Sequence, residues 1–115
     1  MSDTAPIPVP SGQPVTFLEV LTDQPGQGLA YRFRFVAPDI AREKGQADFE
    51  SIGRDMEYLC NSYALPRIAN SGPVPNQIII SLADRPTAFG EPDPDATQFF
   101  EAYSLDGDAC YWEPF

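Results

Sequence analysis

The residues of this sequence with the sharpest chemistry are its two cysteines, Cys60 and Cys110. Fifty positions apart, they cannot form a CxxC redox or zinc signature, but they can form one disulfide. The chain has no histidine. That removes the commonest general base and metal ligand, and with it Ser–His and Cys–His nucleophile pairs and His-containing zinc sites. Arginine and carboxylate chemistry remains. Arg32, Arg34, Arg67 and Arg85 are the candidate ligands for a small anion, and Arg32 and Arg34 also suit cross-strand pairing with acids such as Glu19. Glu101 is the candidate acid or base of a carboxylate enzyme, provided it is held partly buried. Glu91, Asp93 and Asp95 alternate with prolines, and alternating carboxylates are what calcium loops use. The stretch lacks the glycine and distal glutamate of the twelve-residue loop, so a solvated acidic loop is the better reading. No catalytic residue, metal or cofactor is expected.

At 115 residues and 43% hydrophobic composition the chain fits one domain. Seventeen acidic against seven basic residues give a formal charge of −10, which repels nucleic acid and anionic membrane. No apolar run approaches the roughly 18 residues of a membrane helix, so no membrane insertion is expected. Residues 1–14 hold four prolines and read as an extended segment, mobile unless docked, leading into a single domain over 15–115. They lack the charged and apolar regions of a signal peptide. Met1-Ser2 is expected to be a start placed after a removed leader.

These groups must be positioned by a small set of elements. The main one is a helix over 48–65, in which Phe49, Ile52, Met56, Leu59, Cys60 and Tyr63 share a face while Glu50, Arg54, Asp55, Glu57 and Asn61 take the other. Asp48 is its expected N-cap and Pro66 its expected end. Residues 15–21 and 29–36 read as a hairpin around Pro25-Gly26, with Leu29, Tyr31, Phe33 and Phe35 opposite Ala30, Arg32, Arg34 and Val36. A short helical turn is expected over 39–44. Residues 77–82 (QIIISL) read as a central strand buried on both faces, and 83–95 as a long loop.

Residues 97–105 and 108–113 flank Asp106-Gly107, the signal for a type I′ hairpin. That turn pairs Leu105 with Asp108, Tyr103 with Cys110 and Glu101 with Trp112. Cys110 then faces the helix while Cys60 faces the sheet, which makes a disulfide the expected state and an oxidising compartment the expected setting. The elements sum to an α+β fold, one main helix on a mostly antiparallel sheet of about five strands, in the order β-β-α-β-β-β.

Several segments, VPSGQPV at 9–15, RFRFVAP at 32–38, YALPRI at 63–68 after Cys60, IIISLADRP at 78–86 and QFFEAY at 98–103 before Cys110 and Trp112, resemble a family of small uncharacterised alphaproteobacterial proteins recorded only as a domain of unknown function. The resemblance spans nearly the whole chain from Val9 and implies export; it transfers no functional residue. Some relatives are labelled acetolactate synthase, but a chain this short cannot house a thiamine diphosphate site. The expected function is that of a non-catalytic, exported, periplasmic domain that binds a protein or envelope component. The alternatives are an anion-binding protein acting through the four arginines and a carboxylate enzyme using Glu101. Sequence reasoning would seek a local site on the far face of the sheet or in the acidic loop, away from the helix.

Overall fold

The computed structural model describes residues 6–23, 29–41, 48–68, 75–88, 93–106 and 109–113. In chain order they form β1 (Thr16–Asp23), β2 (Ala30–Val36), a 3-10 turn (Pro38–Ile40), α1 (Phe49–Leu59), a π-helical segment (Cys60–Ala64), α2 (Leu65–Ile68), β3 (Gln77–Ala83), β4 (Gln98–Asp106) and β5 (Ala109–Glu113). The strands make one sheet in the spatial order β1-β2-β3-β4-β5. Neighbours are antiparallel except β2 and β3, which are parallel. The helical element carries the chain from the end of β2 to the start of β3, and a parallel pair requires such a crossover. The fold is therefore α+β, with a mixed sheet.

Strand alternation divides the sheet into two unlike faces. Phe33, Phe35, Ile78, Ile80, Leu82 and Tyr103 are buried against Ile52, Met56, Leu59, Cys60 and Tyr63 of the helical element, each such side chain contributing about 1.5–3 kcal/mol by leaving water. Tyr63 lies 5.3 Å from Phe17 and 5.4 Å from Phe35, ring centre to ring centre. Among the described residues, no helix or strand covers the other face. β3 is the central strand, but Ile79 and Ser81 on that uncovered face are only half-buried, so the expectation of burial on both faces is corrected.

Asp48 caps α1 as expected, accepting the backbone N–H of Ser51 at 2.8 Å, and this bond holds its carboxyl below the ordinary aspartate value. Pro66, by contrast, does not end the helix, which runs on to Ile68. Proline in a regular α-helix lacks one N–H and crowds the carbonyl four residues earlier. Here the turn widens into the π segment, with the Leu65 N–H bonded to the Cys60 carbonyl, and the wider turn accommodates the ring.

Two residues depart from the expected helix faces. Phe49 is 78% exposed; it is the first residue of α1 and overhangs the sheet, meeting the edge of Phe99 at 5.5 Å. Asp55, expected in solvent, is 0% exposed because residues 6–15 fold over its side of the helix. Val9 and Val15 of that segment join the core. The Ile7 N–H bonds the Val15 carbonyl at 2.6 Å, and a turn closes from the Gly12 N–H to the Val9 carbonyl at 2.9 Å. Gly12 has φ +82°, a backbone region glycine enters without a Cβ penalty.

The terminal hairpin is also re-registered. Asp106 pairs with Ala109, Leu105 with Cys110 and Tyr103 with Trp112. The intervening pair is thus Gly107-Asp108, outside the described residues, rather than Asp106-Gly107. Because the offset between strands changes by two, every side chain keeps its face. The expected turn over 39–44 is described only in part, as the 3-10 turn starting at Pro38.

Candidate functional site

The disulfide is formed. Cys60 and Cys110 are bonded with their Cα atoms 6.2 Å apart, joining the π segment to edge strand β5. Asn61, next to Cys60, accepts the Cys110 N–H on Oδ1 at 3.0 Å while its Nδ2 donates to the Glu57 carbonyl at 3.0 Å. A β5 amide is thereby engaged by the helix, which disfavours strand addition at that position. Nearby, Glu101 accepts the indole N–H of Trp112 at 2.8 Å. Trp112 shares the helix-facing side with Cys110, but at the sheet edge it stays exposed. Tyr103 beneath them has its hydroxyl pKa raised by burial and further by the charges of Glu101 and Glu57, so it remains protonated at physiological pH.

The four candidate arginines do not form one cluster. Arg34, 5% exposed on the uncovered face, pairs with Glu19, which lies opposite it in the β1–β2 register. Its Nη2 also donates to the Thr87 carbonyl at 3.0 Å and hydroxyl at 2.7 Å. Arg32, on the same face, sets its guanidinium carbon 5.9 Å from the centre of the Phe100 ring, within cation–π range. Arg85 pairs with Asp84 through two bonds of 3.1 Å. Arg67 lies on the opposite side of the sheet, at the end of the helical element, stacked 3.4 Å over Tyr63 and donating to the Tyr63 carbonyl at 3.0 Å.

Two acids missed by sequence reasoning act as clamps. Asp84 is buried and accepts the Thr97 N–H at 3.1 Å, while its own N–H donates to the Thr97 carbonyl at 3.0 Å. It closes the base of the 83–95 loop. Arg85 first, and the Thr97 amide after it, hold its carboxyl below the ordinary value. Asp55 accepts the Ser11 N–H at 3.0 Å, the Ser11 hydroxyl at 2.5 Å and the Gln13 amide at 2.7 Å. Its signal was present in the spacing, three residues after Ile52 and four before Leu59. Asp84 has no comparable signal, because its partner Thr97 is defined only by sheet pairing.

Asp93 accepts the Asp95 N–H at 3.2 Å in a local turn; Glu91 lies outside the described residues. Among the described residues no group of three or more Cys, Asp or Glu side chains is arranged to hold a metal ion. No described helix is long and apolar enough to cross a membrane.

The uncovered face carries the most distinctive surface. Phe100 is 56% exposed and Tyr111 52% exposed. The register places Phe100 opposite Ser81, and Tyr111 opposite Ser104. Four residues of β4 separate the two rows, roughly 13 Å at strand rise. Ile79 and Ala102, paired with each other, lie between them, and Arg32 pairs with Ile79 from β2. The result is a shallow apolar floor with an aromatic ring at each end and a guanidinium beside it.

The chain belongs to a family of unknown function, DUF6497, whose family model matches residues 1–115. Comparison with curated proteins and with solved structures returned no match.

Proposed function

We propose that this family member is a non-catalytic binding module, exported to an oxidising compartment such as the periplasm, that docks a partner protein on the uncovered face of its sheet. The observation that carries the reading is the pairing of two half-exposed aromatic rings, Phe100 and Tyr111, with Arg32 on one uncovered face. Aromatic residues and arginine are the types that dominate protein interfaces. Glu113 lies on the same face by strand parity, and with the net charge of −10 it favours a partner with an apolar centre and a basic rim. The same charge disfavours nucleic acid. The disulfide supports export, since such bonds persist where thiols are not kept reduced.

The test replaces Phe100 and Tyr111 together by serine. Both are about half-exposed on strands, so the variant should remain folded at a cost of about 1 kcal/mol per site. A partner crosslinked and recovered from envelope extract by the unmodified protein should be lost with the double variant. Recovery of the same proteins by both forms, or of none at any ionic strength, refutes the reading.

A further inference from the structure

We propose that the groove between α1 and the β4–β5 edge of the sheet binds a primary alkylammonium ion, its N–H donors taken by the Tyr103 hydroxyl and the carboxylates of Glu101 and Glu57 and its carbon chain laid against Trp112. This site is on the opposite side of the sheet from the protein-docking face and does not depend on it.

Helical spacing sets one wall. Phe49, Gly53, Glu57 and Asn61 follow one another at four-residue steps and so share a side of the helical element. That side overlooks the outer strands. At one end Phe49 meets Phe99 of β4 at 5.5 Å, and at the other Asn61 accepts the Cys110 N–H of β5 at 3.0 Å, beside the Cys60–Cys110 bond. Between these two closures the wall recedes at Gly53, where an added Cβ would meet nothing within 4 Å beyond its own helix backbone. Strand alternation sets the floor. Phe99, Glu101 and Tyr103 lie on the helix-facing side of β4, paired with the buried Leu82, Ile80 and Ile78, and Trp112 stands opposite Tyr103 on β5.

Tyr103 points to an occupant. It is 1% exposed, yet among the described residues nothing hydrogen-bonds its hydroxyl, and a polar group buried without a partner is costly. Burial first, and then the charges of Glu101 and Glu57, raise the pKa of that hydroxyl, so it stays neutral and faces two carboxylates. Neither carboxylate is in an ion pair among the described residues. Trp112 donates its indole N–H to Glu101 Oε1 at 2.8 Å, which orients both side chains, while Glu101 Oε2 accepts no bond from a described residue. The groove thus presents acceptors and negative charge without a cation. A hard metal ion needs about six oxygen ligands, and among the described residues no group of three or more Cys, Asp or Glu side chains is arranged to hold one. A primary ammonium needs only three acceptors around one nitrogen. The Trp112 ring, 56% exposed, offers a face that attracts the charge and covers the adjoining methylenes.

The experiment titrates the full, oxidised chain at neutral pH with pentylammonium, beside pentanol and tetramethylammonium. It follows the fluorescence and the indole N–H resonance of Trp112, the single tryptophan of the chain. Saturable shifts are expected with pentylammonium, at an affinity about tenfold or more above that of either control. Capped lysine in a further arm separates two sources of the same ammonium: tighter binding than pentylammonium assigns the site to a peptide side chain, and weaker binding to a free amine. Tyr103→Phe should weaken pentylammonium about fivefold and leave the melting temperature unchanged, since the hydroxyl makes no bond in the free chain. Glu101→Gln, whose Oε1 still accepts the indole N–H, should weaken it about tenfold. Gly53→Leu fills the recess from a helix position that gains propensity, and should abolish binding. The proposal is overturned by pentylammonium binding no more tightly than pentanol or tetramethylammonium, or by no Trp112 shift at millimolar amine. It is equally overturned if Tyr103→Phe and Glu101→Gln bind the amine like the unmodified chain, or if Tyr103→Phe lowers the melting temperature, which marks a hydroxyl already partnered.

Discussion

Replacing Asp55 should separate the docking of the N-terminal segment from the rest of the fold. Its carboxylate accepts bonds of 3.0, 2.5 and 2.7 Å from the Ser11 N–H, the Ser11 hydroxyl and the Gln13 amide. Hydrogen bonds to a charged group are each worth about 1.5–3 kcal/mol net, but three on one carboxylate are not additive. Peeling of the segment into water, which exposes Val9, caps the loss. For Asp55→Ala we expect a loss of about 3 kcal/mol, or roughly 12 °C in melting temperature for a chain of this size. Asp55→Asn should be far milder, at about 1 kcal/mol. Its Oδ1 still accepts the Ser11 N–H, and its Nδ2 meets two groups that can reverse their roles. The Ser11 hydroxyl can rotate to accept, and the Gln13 amide can flip to present Oε1, an atom now buried without a hydrogen-bond partner. Urea unfolding followed by circular dichroism measures both losses, and hydrogen exchange at Ile7 and Gly12 reports whether the segment has left. Stability of Asp55→Ala within 0.5 kcal/mol of the unmodified protein refutes the clamp; equal losses for Ala and Asn refute the role reversal.

Two further outcomes rest on separate features. The double variant Cys60→Ala, Cys110→Ala opens a fifty-residue loop and should cost about 4 kcal/mol in the chain-entropy model, with a steeper guanidinium dependence because the unfolded chain expands; an unchanged slope with a loss below 1 kcal/mol refutes that account. Asp84 titrates in the folded state below the value of an unfolded aspartate, owing first to Arg85. Its stabilisation is therefore complete above about pH 4 and lost as pH falls through the folded value. Thermal melts of Asp84→Asn against the unmodified chain should differ by a constant amount from pH 5 to 8 and converge below pH 4. A gap that stays constant down to pH 2 contradicts the assignment.

The sequence by itself determined whatever is written in local spacing. The three- and four-residue steps from Ile52 to Tyr63 set one helix and its buried face, the alternation in LAYRFRFV set a strand with its phenylalanines inward, and Asp48 set the cap. Parity alone directed Cys110 toward Cys60, and because the hairpin offset changed by two residues, the disulfide survived an incorrect pairing. Tertiary structure decided what depends on partners remote in the chain. Pro66 stays within the helix because the turn before it widens. Asp55 is buried because residues 6–15 arrive from outside the helix to satisfy it, and Asp84 because sheet pairing delivers Thr97. The four arginines differ in what the fold sets beside them: Glu19 and Thr87 for Arg34, Phe100 for Arg32, Asp84 for Arg85, and the ring and carbonyl of Tyr63 for Arg67. A charged side chain's role is fixed by its counter-groups and its solvent access, and neither is a property of the neighbouring residues in sequence.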